Sequence, residues 1–244
     1  MDFTLTKYRE LLTALHGYGE VILRHDVDRK PQNSLNTARI EKELRWKAVY
    51  YFRAVPESWD EAVICEIASM GHEIGYHYES LVTCNGDMEA AYQDFCVNLE
   101  KLRKLAPVSS ICMHGSPKSK WDSRDMWKHY DYHELGILTE PYLDTDFSKV
   151  FYLTDTGRRW DGYNVSVRDK IPVFQEQWIK QRWVYHTTDD IINAVKDGKF
   201  PKNVMITTHP QRWTDNVAEW LMESVSQSAK NMVKTFLVKR ECVK

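Results

Sequence analysis

Between residues 21 and 28 the chain reads Val-Ile-Leu-Arg-His-Asp-Val-Asp: three apolar residues, then a cation, an imidazole and two carboxylates. The branched apolar start reads as a short buried strand. Side chains two apart share one face of a strand, so Asp26 and Asp28 can point into a common space. Carboxylates that close repel unless a cation lies between them or one holds a proton. The pair therefore suits a metal with a general base beside it, with a solvated acidic turn as the alternative from these eight residues alone. Three other apolar stretches end comparably: His77 and Glu79 follow one, His114 closes a second and His209 a third. One histidine at a strand end is usually structural. Four such ends are hard to attribute to chance.

Those residues need a scaffold that gathers strand ends. The periodicity predicts an amphipathic helix over Met1–Leu15, a helix over Pro31–Leu44 and a strand over Lys47–Phe52. Ser58-Trp59-Asp60-Glu61 reads as a capping box for a helix that stops at Gly71. A strand over His72–Tyr78 precedes a helix capped by Asp87, and Val108–Met113 is the next strand. Gly115–Glu134 reads as a long loop. Gly136–Thr139 and Val150–Leu153 are short strands, and Asp155–Arg182 is an irregular excursion. A helix from Thr188 to Gly198, a strand over Val204–Thr208, a helix capped by Thr214 and an edge strand over Thr235–Val238 complete the chain. This alternation predicts an α/β fold with a parallel sheet, open or closed, in one domain spanning residues 1–244. In such folds functional residues gather at the carboxyl ends of the strands.

Composition narrows the classes. The 244 residues carry a formal charge of -2, which offers no polybasic surface for nucleic acid or anionic membranes. Cysteines 65, 84, 96, 112 and 242 are odd in number and lack CxxC spacing, so they read as reduced and mostly buried. No apolar run approaches the ~18 residues of a membrane span, and no signal-peptide core leads the chain. A cytoplasmic location is the simplest expectation.

At Gly71-His72-Glu73-Ile74-Gly75-Tyr76-His77, together with the Asp-rich first strand and His209, the chain resembles the polysaccharide deacetylases of carbohydrate esterase family 4, which share the chitooligosaccharide deacetylase homology domain. The resemblance spans roughly residues 20 to 210 and is most specific in the GHEIGYH run. It implies a distorted (β/α) barrel of about seven parallel strands. It also implies one divalent metal, usually Zn2+, held by an Asp and two His, with an Asp as base and a last-strand His as acid. Carried across, Asp26 is the base and Asp28 the metal ligand, or the reverse, because Val27 separates residues that are adjacent in the family. His77 is a ligand. Leu81 stands where the family has its second His, and His114 is the replacement. His209 is the acid, kept protonated by Asp155 or Asp161.

The resemblance thus implies removal of an N- or O-acetyl group from a carbohydrate by a divergent subfamily, in surface-polysaccharide (O-antigen or capsule) assembly. Arg158, Arg159 and Arg168 beside Trp160 suit a phosphate on a nucleotide- or lipid-linked sugar, with a solvated loop as the alternative. Glu140 either lines the cleft or sits in a buried turn. Two rival readings remain at this stage. One is a metal-dependent amidohydrolase or phosphoesterase on a related barrel, which would announce itself with His-x-His at the first strand. The other is an inactive sugar-binding or scaffolding homologue.

Overall fold

The computed structural model describes residues 1–116, 119–162, 166 and 169–241, with side chains described through residue 232. After helix α1 (Leu5–Leu15) the chain alternates strand and helix: β1 (Glu20–Val27), α2 (Pro31–Glu43), β2 (Ala48–Phe52), α3 (Glu61–Ser69) and β3 (Glu73–Tyr78). The short α4 (Ser80–Thr83), then α5 (Met88–Arg103) and β4 (Ile111–Met113), follow. Next come α6 (Pro141–Asp144), β5 (Phe151–Thr154), α7 (Pro172–Lys180), α8 (Thr188–Lys196), β6 (Asn203–Thr208) and α9 (Val217–Glu241).

Among the described residues six strands form one parallel sheet in the order β4-β3-β2-β1-β6-β5. The sheet is curled. Tyr142, on α6 beyond β4, packs on Arg24 of central β1 at 4.8 Å from guanidinium to ring centroid, and its hydroxyl lies 3.2 Å from that of Tyr152 on the opposite edge strand. The concave face thus holds Arg24, Asp26, Tyr51, Gly75 and His77. Gly75 leaves room there: a Cβ would collide with the Tyr51 ring.

The convex face is packed by helices. His25 points that way, opposite to Asp26, and contacts Glu41 of α2 at 2.6 Å and Thr208 of β6 at 2.7 Å. Glu41 also accepts from the hydroxyls of Tyr8 and Tyr50, so this buried carboxylate ties α1, α2, β1 and β2 together. Each donor offsets part of the cost of burying its charge.

Several expected elements take another form. Gly136–Thr139 contributes a single parallel bridge, Ser110 to Thr139, instead of a seventh strand. A 3₁₀ turn ends at Gly136 with φ 70°, and Pro141 opens α6, so too little extended chain lies between them. Asp60, not Ser58, caps α3. Ser58 instead accepts from the Arg53 amide and donates to the Val27 carbonyl, fastening the β2 loop to the end of β1. The excursion after Asp155 contains α7, with Pro172 at its first turn, where a missing N–H costs nothing. Asn216 rather than Thr214 accepts the first amides of the last helix. That helix runs through Thr235–Val238, where an edge strand was expected. Among the described residues no helix is long and apolar enough to cross a membrane.

Candidate functional site

The carboxyl ends of β1, β3, β4 and β6 bring Asp26, Asp28, His77, His114 and His209 to one place. Asp28 lies at its centre, and its two oxygens face different groups. Oδ1 is 3.7 Å from His77 Nε2 and 3.5 Å from His114 Nε2. Oδ2 is 3.9 Å from His209 Nε2 and accepts a hydrogen bond from Gln211 Nε2 at 3.2 Å.

Both imidazoles facing Oδ1 are oriented through their other nitrogen. His77 Nδ1 donates to the Cys112 carbonyl at 2.8 Å, and His114 Nδ1 donates to Glu79 Oε2 at 2.8 Å. Glu79 is anchored in turn by Arg53, whose guanidinium also donates to the Asp28 carbonyl at 3.2 Å. Donation at Nδ1 leaves the Nε2 lone pairs turned toward Asp28, as metal-binding histidines are arranged. Burial holds His77 down at about 4, against the pull of Asp26, so it stays neutral. Burial opposes the charge on Glu79, but the hydrogen bond from His114 and the Arg53 guanidinium beside it overcome it and bring the carboxyl to about 2.

Asp28 Oδ1 is buried and has no hydrogen-bond partner among the described residues. A buried carboxylate oxygen left bare is costly unless a cation completes it. Ligand atoms around a tetrahedral zinc lie roughly 3.3–3.6 Å apart, close to the two separations between Asp28 Oδ1 and the imidazole nitrogens. The donor set therefore fits a divalent metal. Among the described residues, the group of three whose ligand atoms all lie within 4.8 Å of one another is Asp26, His77 and Cys112, which shares His77 with that set. It fits a cation less well. Both Asp26 oxygens accept from Arg24, at 2.9 and 2.8 Å, and that guanidinium repels a second positive charge. Burial also pushes the Cys112 thiol well above its ordinary range, which disfavours the thiolate a metal needs.

Arg24 is two residues before Asp26 on the same face of β1, and both are buried. Burial alone would raise the Asp26 carboxyl; Arg24, then His77, outweigh it and keep the group below its ordinary value. Removing the cation strands a buried charge. Arg24→Met is expected to destabilise the fold by about 3–5 kcal/mol, read from urea unfolding; a loss within 1 kcal/mol would show that the pair is not held as described.

On the other side of Asp28, His209 Nδ1 donates to Asp155 Oδ1 at 2.6 Å. Asp155 is fully buried and also accepts from the His209 amide, Arg212 and Trp213. Burial and Arg212 work against protonation of His209, yet the Asp155 carboxylate outweighs both and its pKa is raised.

Between the two carboxylates considered beside His209, the structure brings Asp155 and not Asp161. Asp161 pairs with Arg159 and lies 3.0 Å from His186 Nδ1. Arg158, Arg159 and Asp161 line a separate open cavity of about 420 Å³, whose described wall contains none of the five residues gathered around Asp28. Arg158 packs on Trp220 and donates to its carbonyl. Trp160 is buried and donates to Thr188, so its face is not open to a sugar. Arg168 lies outside the described residues.

Glu140 is fully buried and caps α6, accepting from the amides of Met113, Tyr142 and Leu143, which is the buried-turn alternative. Leu81 is packed in the core on α4. Sequence reasoning missed Gln211 and Asp169, and gave Arg24 no role. Asp169 accepts from the hydroxyls of Tyr142, Tyr152, Thr154 and Thr156. Neither residue belongs to a motif, whereas the Arg24–Asp26 spacing was a usable signal.

No protein-family model matches this chain, and no curated protein does. Among solved structures, PdaA of Bacillus subtilis, a family 4 carbohydrate esterase, is similar over 89% of this chain and 82% of its own, at 11% identity and a TM-score of 0.42. A likeness at that level carries no weight for the chemistry.

Proposed function

We propose that this protein is a metal-dependent hydrolase that removes an acetyl group from a carbohydrate, with Asp28, His77 and His114 holding the metal. One observation carries the reading: the buried Oδ1 of Asp28, without a hydrogen-bond partner among the described residues, faces two imidazole nitrogens whose rings are locked from behind. A divalent ion bound there would acidify water and polarise the acetyl carbonyl. Asp26, kept ionised by Arg24, accepts the proton of the water that attacks the acetyl carbon. His209, charged through Asp155, delivers a proton from Nε2 to the departing nitrogen or oxygen as its bond to the acetyl carbon breaks. Acetate and a free amine or hydroxyl result.

The test is to load the purified protein with zinc, measure metal per chain, and follow acetate release from a panel of N-acetylhexosamines and O-acetylated sugars. One zinc per chain together with metal-dependent acetate release supports the reading. Zinc without hydrolysis favours a sugar-binding homologue, and no zinc at all rejects the site.

A further inference from the structure

Gln211 follows His209 by two residues, on the 3₁₀ turn Pro210–Arg212. It is buried, and its two ends are treated differently. Nε2 donates to Asp28 Oδ2 at 3.2 Å, whereas Oε1 is buried with no hydrogen-bond partner among the described residues. The amide cannot be turned round, because Oε1 would then face a carboxylate oxygen. A glutamine kept only for the fold would pair both ends or yield to an apolar residue, since a buried bare carbonyl is unfavourable. Its side-chain bond among the described residues falls on the Asp28 oxygen turned away from His77 and His114.

Resting on the metal reading above, we infer that Gln211 is a positioning residue for the metal. By engaging Oδ2 it holds the Asp28 carboxylate so that Oδ1 alone is offered to the site, and Oδ2 stays on the side of His209. Without this tether the carboxylate can rotate and present both oxygens. Partners that orient a metal ligand from outside typically contribute tenfold to a hundredfold to affinity.

Gln211→Met keeps length and bulk and removes both polar ends. Three quantities are compared between the full-length variant and the wild type: zinc affinity by chelator competition, the visible spectrum of the cobalt(II)-loaded protein, and melting of the metal-free protein. The expected result is zinc affinity about 10–100-fold weaker, a changed cobalt spectrum reporting altered coordination, and metal-free melting at or above the wild-type temperature. Unchanged affinity and spectrum would overturn the inference while leaving the metal site standing. A lowered metal-free melting temperature accompanying the weaker affinity would also overturn it, because Gln211 would then be supporting the fold. Should Gln211→Met not fold, Gln211→Asn, one methylene too short to reach Asp28, is read the same way. A wild type that binds neither ion rejects the metal reading itself, and this inference with it.

Discussion

His77→Ala is expected to empty the site of zinc and abolish metal-dependent acetate release. The imidazole sits at the end of β3 with Nδ1 committed to the Cys112 carbonyl, so Nε2 is turned toward Asp28 and Asp26. Losing one of three protein ligands should weaken zinc by on the order of a thousandfold. Asp28→Ala should do the same. Glu79→Gln leaves all three ligands but loosens His114, so its loss should be smaller, about 10–100-fold. The order is checked by chelator competition on the three variants, with circular dichroism to establish folding. Full zinc in folded His77→Ala and Asp28→Ala would remove the site.

Asp26→Asn should behave oppositely: zinc retained, rate lost. Asp26 reaches no imidazole closer than His77 at 3.8 Å and spends both oxygens on Arg24, so it is poorly disposed to hold the metal. It is well disposed to remain a carboxylate. An amide of the same shape cannot accept the water proton, and kcat should fall by about 10²–10⁴. Zinc content discriminates between the two aspartates, since the reverse assignment predicts that Asp26→Asn loses metal and Asp28→Asn keeps it. A variant with wild-type turnover would dismiss Asp26 as the base.

Both expectations start from features legible in the chain. Two-residue periodicity placed Asp26 on one face of β1 and His25 on the other, with Asp28 one residue past the end of the strand, because alternation in a strand is local geometry. The GHEIGYH run and the apolar stretches before His114 and His209 marked three further strand ends, and a parallel sheet brings such ends to one side. The strand-helix order was likewise written in hydrophobic spacing and in caps such as Asp87, which does cap its helix.

What the tertiary structure decided is pairing between residues distant in the chain. Asp155 and Asp161 are equally acidic and six positions apart; only the packing of β5 beside β6 puts the first under His209. Glu79 lies two residues from His77 yet serves His114, because its chain turns into α4 at that point. Glu140, Trp160 and Arg159 have the chemistry to bind a sugar or a phosphate, but burial or a nearer partner takes each of them. Gln211 could not be read from the chain at all. Local composition says which groups an element can offer, while a hydrogen bond or a metal site requires atoms within a few ångströms, and that distance exists only after the sheet has curled.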